Sequence, residues 1–367
     1  MVWCIVMRGP QPLSMRSAVD LRTVLETTPV GGRSVVLPDG MGAAMPEPVP
    51  EPRPAVDGPT AARELVVLGT ASQMPTRDRN HNGYLLRWDG EAILFDPGEG
   101  AQRQLLLAGE SAASITTVCV THFHGDHCLG LPGMLHRMAQ DGVRRAVDIA
   151  FPAAARGDYE RLRDVAGAGA PPLTEHPVAG DGLVLETPRF ALRAMALDHR
   201  TATVGWRLEE PDSRRMLPER LAAAGVHGPM IGRLQREGRV AVGDAVVRLE
   251  DVSAPRPGQK LAFVMDTRVC DAAYELARGV DVLVCESTFL QEEADLAEAY
   301  GHLTALQAGR IAAEAGARLL VLSHYSQRHP DPSVYAEEAR RVHPATVAAR
   351  DLTRIAVPPR RRVAPER

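Results

Sequence analysis

Three histidines and one aspartate fall within the six residues from His122 to His127, directly after a short apolar run. The run, SITTVCVT, has the β-branched and apolar composition of a buried strand. Imidazole nitrogens and carboxylate oxygens are ligands that Zn²⁺ accepts. The whole chain has 12 histidines, so chance crowding in a polar surface loop explains the segment poorly. The segment therefore predicts a metal site at the end of a strand.

The spacing within this segment divides its ligands between two positions. In an extended turn, His122 and His124 point to one side and Asp126 to the other. His127 can then join Asp126 at a second metal ion. One loop cannot complete two metal sites, so further ligands are expected at the ends of other strands.

Three later residues meet that expectation. His199 follows the apolar run FALRAMALD, Asp266 ends LAFVMD, and His324 ends LLVLSH. Each stands at the carboxyl end of a predicted strand, where α/β folds place their sites. A single histidine in such a position is more often structural, but three such residues together with the loop favour metal ligands.

The pattern along the chain predicts a layered α/β domain. Strands and helices alternate over about 64–210 and again over about 261–342. Residues 211–259 are rich in Arg, Gly and Pro and show no long periodic run, which suggests an inserted arm. We expect a catalytic domain over 61–345 with the arm inside it, followed by a C-terminal strand and basic tail over 346–367. No internal repeat of fixed period is visible.

Residues 1–60 differ from this pattern. Six prolines between Pro46 and Pro59 disfavour a helix and favour an extended, polyproline-like chain. We interpret 1–60 as a disordered extension. A start codon assigned too far upstream is one alternative, and a functional tail is another.

The composition is that of an ordinary globular protein, with 45% hydrophobic and 24% charged residues and a formal net charge of -4. No run approaches about 18 consecutive apolar residues, so no membrane span is expected. The N-terminus lacks the pattern of a signal peptide. Five scattered cysteines do not make a disulfide framework. These features predict a cytoplasmic protein.

The basic residues are almost all arginine. Among the 42 Lys and Arg residues, only Lys260 is a lysine. A GC-rich coding genome is the simplest explanation, yet the planar fork of arginine also suits phosphate. A negative net charge therefore does not exclude a nucleic-acid partner, since the positions of the arginines decide that question.

The segment HFHGDH resembles the HxHxDH signature of the metallo-β-lactamase superfamily, and the later His, Asp and His follow in the superfamily's order. The resemblance implies an α/β fold of the metallo-β-lactamase type. This is a four-layer αββα sandwich with two metal ions between its sheets, here with an inserted flexible exosite arm. Substrates vary widely within the superfamily, so the fold does not name the reaction.

Further segments resemble one family of that superfamily, ribonuclease Z, whose members trim the 3′ ends of precursor tRNA. The segments that carry the resemblance, between about Glu64 and His329, are LGTASQMPTRDRN, LFDPGEGAQRQLL, THFHGDHCLGLPGML, LDHRTATVGWRLEE, MDTR, CESTF, GHLTALQAG and SHYSQRH. The positions that depart from the family pattern include Ala101, Trp206, Met265 and Cys285.

The resemblance implies a set of metal ligands and three catalytic residues. The ligands implied for the first zinc ion are His122, His124 and His199, those for the second are Asp126, His127 and His324, and Asp266 bridges the two. Mn²⁺ is an alternative metal, because such a ligand set tolerates both ions. In the family, Asp126 would also accept the proton of the attacking water.

The other two catalytic residues implied by the resemblance are Glu286 and His302. They match family positions that assist leaving-group protonation and ligand orientation. The alternative for Glu286 is a helix-capping carboxylate. The alternative for His302 is a residue at a helix N-terminus with no chemical role.

The arm carries the last part of the resemblance. GVHGPMIGRLQREGRV is similar to the GP-motif exosite of ribonuclease Z, which grips the tRNA elbow. Gly228 and Pro229 would stiffen a turn, while Arg233 and Arg236 lie in a loose basic run suited to RNA phosphate. A solvated loop is the alternative. Because the family arm acts across a homodimer, the resemblance also implies a dimer.

These inferences predict a zinc-dependent endoribonuclease that cleaves the 3′ trailer from precursor tRNA. A metal-activated hydroxide would attack the phosphodiester and leave a 3′-hydroxyl on the tRNA and a 5′-phosphate on the trailer. The alternative is a small-molecule phosphodiesterase or another hydrolase of the superfamily, which needs the metal site but not the arm. A non-catalytic RNA-binding homologue and a di-iron redox protein fit the filled metal positions less well.

Overall fold

The computed structural model describes residues 63–167 and 170–360. The predicted extension, 1–60, and the end of the basic tail, 361–367, lie outside the described residues. The strands are β1 (Arg63–Gly69), β2 (Gly83–Trp88), β3 (Glu91–Phe95), β4 (Thr117–Cys119), β5 (Val147–Pro152), β6 (Leu173–Val178), β7 (Gly182–Glu186), β8 (Ala191–Leu197), β9 (Thr203–Glu209), β10 (Ser213–Met216), β11 (Arg239–Val242), β12 (Ala245–Arg248), β13 (Ser253–Arg256), β14 (Lys260–Val264), β15 (Val282–Glu286), β16 (Leu320–Ser323), β17 (Thr346–Ala348) and β18 (Arg354–Ala356).

The α-helices of the described residues connect these strands. They are α1 (Ala101–Leu107), α2 (Gly125–Cys128), α3 (Leu131–Gln140), α4 (Arg156–Val165), α5 (Pro218–Ala223), α6 (Pro229–Glu237), α7 (Asp271–Ala277), α8 (Ala294–Tyr300), α9 (Ala305–Ala315) and α10 (Ser333–Arg340). None of these helices has the length and apolar character needed to cross a membrane.

Two seven-stranded sheets pack face to face. The first has the order β18-β1-β2-β3-β4-β5-β6 and the second the order β17-β16-β15-β14-β9-β8-β7. Their inner faces share one apolar core, in which Phe95 stacks on Phe263 with ring centroids 4.7 Å apart. Helices α1, α3 and α4 cover the outer face of the first sheet, and α7, α9 and α10 cover that of the second. The predicted four-layer αββα sandwich is therefore confirmed.

Strand sequences explain why the sheets are buried on both faces. In β1, Leu65 and Val67 belong to the core between the sheets, whereas Val66 and Leu68 belong to the core beneath the helices. This alternation is the two-residue period of a strand. Continuous apolar runs such as LVVL are typical of strands covered on both sides.

The two sheets repeat one topology. In the first, β1, β2 and β3 are antiparallel and β3 to β6 are parallel. In the second, β7, β8, β9 and β14 are antiparallel and β14 to β17 are parallel. Strand β3 thus corresponds to β14, β4 to β15 and β5 to β16. The sequence shows no internal repeat, so the similarity lies in the backbone pairing.

The arm joins β9 to β14, at the place where the first half has the two-residue turn Asp89-Gly90 between β2 and β3. Within the arm, β10 pairs with β13 and β11 with β12. The buried residues of its own small apolar core are Leu221, Val226, Leu234, Val240 and Val252. Its strands have 4 residues each and its longer helix has 9, which explains why the sequence shows no long periodic run.

The sequence pattern does not predict α4, β6 or β7. Strands β6 and β7 are the edge strands of their sheets, and most of their side chains are only partly buried or exposed. Helix α4 buries Tyr159 alone. Elements with so little buried surface give a weak periodic signal.

Candidate metal centre and substrate cleft

The carboxyl ends of neighbouring strands bring the predicted site residues to one edge of the sandwich. His122 lies just after β4, and Asp266 and His324 lie just after β14 and β16. Glu286 is the last residue of β15. His199 reaches the same edge from the loop after β8. Parallel strands from both sheets end here, so the fold itself gathers these side chains.

The loop after β4 is extended only in part. His124 is in the extended conformation (φ -69°, ψ 149°) and caps the short helix α2, which begins at Gly125. The prediction of an extended turn is therefore wrong for Asp126 and His127, which lie on this helical turn. The structure brings His124 together with one group of donor atoms and Asp126 and His127 together with another.

The first group of converging donors consists of His122, His124, His199 and Asp266. The Nε2 of His122 lies 3.0 Å from the Nδ1 of His124, and the Nε2 of His199 lies 3.4 Å from that same atom. Oδ2 of Asp266 is 3.5 Å from His122 Nε2 and 3.8 Å from His199 Nε2. Lone-pair atoms this close repel each other unless a cation or a proton lies between them, so the group suits a metal ion.

The second group consists of Asp126, His127 and His324. Oδ2 of Asp126 lies 3.4 Å from the Nε2 atoms of both His127 and His324, which are 3.3 Å from each other. Oδ1 of Asp266 is 3.3 Å and 3.2 Å from the same two nitrogens. Ligands at roughly 2.0–2.1 Å from a tetrahedral Zn²⁺ lie roughly 3.3–3.4 Å apart. The observed separations fit such an ion.

Asp266 faces both groups with different oxygens. Its side chain is 3% exposed, and its Oδ1 is buried without a hydrogen-bond partner among the described residues. Leaving a buried carboxylate oxygen unpaired is costly, and a metal ion beside it removes that cost. The donor set therefore fits metal binding at two adjacent positions that share Asp266.

The backbone is left-handed at three non-glycine residues of this edge. Asp96 has φ 45°, Asp266 has φ 49° and His324 has φ 60°. Each follows the end of a strand within two residues. A side chain in this region costs on the order of 1–3 kcal/mol and persists where the surroundings determine it. The strain here coincides with the residues that form or support the donor groups.

Hydrogen bonds to Nδ1 set the tautomers of the histidines that present Nε2 to the donor groups. His127 Nδ1 donates to Asp96 Oδ2 at 2.8 Å, and His199 Nδ1 donates to the carbonyl oxygen of Gly301 at 2.8 Å. With the proton held on Nδ1, the Nε2 lone pair is available to a metal.

Two threonine hydroxyls set the tautomers of the remaining such histidines. Thr121 Oγ1 donates to Asp96 Oδ2 at 2.7 Å and so accepts from His122 Nδ1 at 3.0 Å. Thr288 Oγ1 donates to Glu286 Oε2 at 2.7 Å and accepts from His324 Nδ1 at 2.7 Å. Each hydroxyl has one proton, so the imidazole must be the donor to it.

Sequence reasoning missed Asp96, although it contacts both the His127 imidazole and the Thr121 hydroxyl. It is fully buried and follows β3 directly, within LFDPGEG. An acidic residue at the end of an apolar strand is the same signal that indicated Asp266. Applied evenly, that criterion would have found Asp96 as well.

Burial and charge act differently on the histidines of the two groups. Burial lowers the pKa of His122, His124 and His199, which favours the neutral form that binds a metal. Burial acts in the same direction on His127, but the carboxylates of Asp266 and Asp126 outweigh it and raise its pKa. A metal ion held by the second group would therefore compete with a proton for His127.

Glu286, which is fully buried, and His302, which is partly exposed, form a pair beside the donor groups. Oε1 of Glu286 accepts hydrogen bonds from the backbone N–H of Thr267 at 2.7 Å and from His302 Nδ1 at 3.0 Å. Glu286 lies at a strand end, so it does not cap a helix. Burial opposes the charged form of His302, but the Glu286 carboxylate outweighs burial and raises the pKa of His302 to about 9.

A cavity of about 510 Å³ opens over the donor groups. Its lining combines the site residues with side chains from the loop between β1 and β2, from α8 and from the segments that follow His199, Glu286 and His324. The residues that line it include His124, Asp126, Asp266, His302, His324, Gln73, Met74, Arg200, Phe289, Tyr300 and Arg328. This volume is that of a ligand-binding cleft, and the metal-type donors form its floor.

The sequence profile of the metallo-beta-lactamase superfamily matches residues 76–324. A ribonuclease Z of Streptomyces avermitilis is 55% identical over 82% of this chain and 99% of its own length. A ribonuclease Z of Chlamydia trachomatis serovar L2 is 41% identical over 79% of this chain and 96% of its own length. The chain belongs to the ribonuclease Z family of the metallo-β-lactamase superfamily. The predicted family is thereby confirmed.

A solved structure agrees with the fold of this ribonuclease Z family member. The crystal structure of human tRNase Z, short form, superposes with a TM-score of 0.58 at 24% identity. The match covers 80% of this chain and 99% of the human chain. At this identity the comparison supports the sandwich fold alone.

The arm residues of this family member are helical. Gly228, with φ 54° and ψ -133°, is the N-cap of α6, and Pro229 is its first residue. Arg233 and Arg236, which belong to the basic run noted in the sequence, lie about one turn apart on this helix. Both are exposed, and Arg233 pairs with Glu237 at 3.0 Å. The flanking Pro and Gly are helix-boundary signals that could have indicated α6.

Proposed function

We propose that the protein is a zinc-dependent endoribonuclease that removes the 3′ trailer of precursor tRNA. Membership of the ribonuclease Z family supports an endoribonuclease of this class. The observation that carries the proposal is the shared carboxylate of Asp266, which contacts both donor groups at once. Two adjacent metal positions suit the in-line displacement at a phosphodiester.

The proposed ligands divide as the sequence resemblance implies. We assign His122, His124 and His199 to one Zn²⁺, Asp126, His127 and His324 to the other, and Asp266 to both. When bound, two such ions stabilise the attacking and leaving oxygens and bring the pKa of water towards neutrality. Mn²⁺ is the alternative metal. In this proposal Asp126, which lines the cavity, accepts the proton of the attacking water.

His302 is the proposed proton donor to the leaving 3′ oxygen of the tRNA. Its Nδ1–H is held by Glu286 and its ring lines the cavity, which leaves Nε2 for the substrate. Glu286 acts through His302 and is a positioning residue. Protonation on this side leaves a 3′-hydroxyl on the tRNA and a 5′-phosphate on the trailer.

We further propose that the arm binds tRNA phosphates and that the enzyme works as a cytoplasmic homodimer. The exposed guanidinium groups of Arg233 and Arg236 on α6 support the first point. Gly228 and Pro229 set the start of that helix. Recognition would rest on tRNA shape and phosphates rather than on base sequence. Analytical ultracentrifugation of the purified protein tests the dimer.

The decisive experiment is cleavage of a precursor tRNA that carries a 3′ trailer, in the presence of Zn²⁺ or Mn²⁺. We expect a cut directly after the discriminator nucleotide, the last unpaired nucleotide of the tRNA body. Asp126→Ala should abolish this cut. Intact precursor after incubation with metal-loaded wild-type enzyme would overturn the proposal.

A further inference from the structure

The cavity has an aromatic wall that the proposed chemistry does not use. Tyr300, the last residue of α8, lines the cavity and is 48% exposed. The Phe289 ring lies beside it, with centroids 6.4 Å apart and planes 17° apart. Phe289 in turn lies 6.2 Å from the His302 ring. The half-exposed ring of Tyr300 is therefore separated from His302, the proposed proton donor, by the ring of Phe289.

An arginine lies over this ring. The Arg200 guanidinium carbon is 5.7 Å from the centroid of the Tyr300 ring, within the range of a cation–π contact. Arg200 also lines the cavity. The nearby Arg268 is paired with Asp198 and Glu298, whereas Arg200 forms no ion pair with any residue that the structure describes. Its positive charge is thus available to a substrate phosphate.

The backbone fixes this wall relative to the metal centre. Gly301, between Tyr300 and His302, ends α8 with φ 79° and accepts a hydrogen bond from His199 Nδ1 at 2.8 Å. A Cβ at position 301 would lie 3.0 Å from His199 Nδ1, so the chain approaches the imidazole closely. Three consecutive residues therefore supply an aromatic surface, an anchor for a metal ligand and a proton donor.

We propose that Tyr300, with Arg200 over its ring, binds the base of the nucleotide on the 5′ side of the scissile bond. This inference rests on the proposed function, in which His302 protonates the leaving 3′ oxygen. That oxygen belongs to the discriminator nucleotide, so its base lies on the His302 side of the cut. Stacking accepts every base, because every base has a π face. An enzyme that must process many tRNAs needs such tolerance.

The test combines protein variants with three precursor tRNAs: intact, abasic at the discriminator, and abasic at the first trailer nucleotide. We expect Tyr300→Ala to lower kcat/KM on the intact precursor by roughly 5- to 150-fold, the range for one stacked base. Tyr300→Phe keeps the ring and should cleave as the wild type does. On the discriminator-abasic precursor, Tyr300→Ala should cause no further loss. On the trailer-abasic precursor, its loss should match that on the intact precursor.

Two outcomes with the abasic precursors would overturn the inference. Equal losses on the intact and discriminator-abasic precursors would show that Tyr300 does not contact that base. If Tyr300→Ala slows cleavage of the intact precursor but not of the trailer-abasic precursor, the Tyr300 ring contacts the first trailer base instead. Tyr300→Leu, which keeps apolar volume without a flat π face, should behave as Tyr300→Ala does, and zinc content and thermal unfolding check that each variant is folded.

The same experiment separates this inference from the proposed function. If the wild-type enzyme fails to cut the intact precursor, the proposed function is wrong. If the wild type cuts it and Tyr300→Ala cuts it equally well, only the stacking site is wrong.

Discussion

The two halves of the sandwich repeat one topology but contribute differently to the metal centre. Asp96 after β3 and Asp266 after β14 stand at corresponding strand ends, with φ 45° and 49°. Both oxygens of Asp96 accept hydrogen bonds, from His127, Thr121 and the Thr121 backbone. Asp266 instead turns both oxygens to imidazole nitrogens, and its Oδ1 has no donor among the described residues. Equivalent backbone positions thus hold a proposed metal ligand, Asp266, in one half and, in the other half, Asp96, which supports the proposed ligand His127.

The loops that precede these strands differ just as clearly. In the first half, Asp89 and Gly90 form a two-residue turn between β2 and β3. In the second half, the arm occupies the equivalent place between β9 and β14. The two-residue turn of the first half therefore shows how β9 and β14 could be joined without the arm. It serves as the template for a variant that lacks the arm.

The largest expected effect comes from Asp266, the carboxylate proposed to serve both metal positions. Asp266→Ala should lower the zinc content at both positions and slow precursor cleavage by on the order of 10³-fold, because metal stabilisation of several kcal/mol is lost. Metal analysis and single-turnover cleavage measure the two effects. Asp148→Ala removes a carboxylate that pairs with His176 outside the donor groups and should change neither. Two tightly bound zinc ions in Asp266→Ala would contradict the bridging role.

The next largest effect should come from the arm. We propose to replace residues 211–258 with the Asp-Gly turn of the first half, because Glu210 N–H donates to Gln259 O at 2.9 Å as in a closed hairpin. Loss of a second binding module should lower kcat/KM for precursor tRNA by roughly 10²-fold. Turnover of bis(p-nitrophenyl) phosphate should persist, since the metal centre is untouched. Equal losses on both substrates would favour a structural role for the arm.

Asp96→Asn tests the supporting role assigned to the first half. Asn keeps the size of the side chain but lacks the charge that holds the His127 Nδ1–H. Loss of such a partner typically costs 10–100-fold in metal affinity or activity. We expect a loss of that size, larger at the second proposed metal position, because Asp96 contacts His127 directly and reaches His122 only through Thr121. Competition with a chelator measures the affinity of each zinc ion. A variant that loses both ions equally would show that Asp96 supports the whole centre rather than His127.

The proposed ligands could be predicted because metal chemistry restricts residue types and because strand ends meet at one edge. His199, Asp266 and His324 each follow an apolar run that is visible in the sequence. The hydrogen bonds that hold these ligands in place were harder to predict from the sequence. Thr121 and Thr288 are ordinary residues whose roles appear only when their hydroxyl partners are known. The repeated topology was invisible for a similar reason, since backbone pairing does not require similar side chains.

A cluster of charges ties the two contrasting loops together at the base of the arm. Arg63 pairs with Asp89 in the short turn and, at 2.7 Å, with Glu210 where the arm begins. Arg360 donates to the other Glu210 oxygen at 2.6 Å. The Arg63 guanidinium lies 4.1 Å from the Trp88 ring centroid. The C-terminal segment and the first strand thus hold the point from which the arm extends.

The smallest expected effect comes from loosening this cluster. Glu210→Gln should lower kcat/KM for precursor tRNA a few-fold, because the arm is less well oriented, and leave small-phosphodiester turnover unchanged. Glu209→Gln removes a neighbouring carboxylate that pairs with Arg207 and Arg193 instead and is the matched control. A larger loss on the small substrate than on precursor tRNA would place the effect in the metal centre rather than in the arm.

The pH dependence of stability tests the same cluster independently of activity. Burial would raise the pKa of Glu210, but hydrogen bonds from Arg63 and Arg360 outweigh it and lower the pKa to about 2. The unfolded value is about 4.3, so the charged carboxylate stabilises the fold above that pH and this contribution is lost as pH falls towards 2. Urea unfolding of metal-free protein should therefore show a gap between wild type and Glu210→Gln that is constant near neutrality and closes below about pH 4.3. A gap that does not change with pH would mean that Glu210 contributes through packing rather than through its charge.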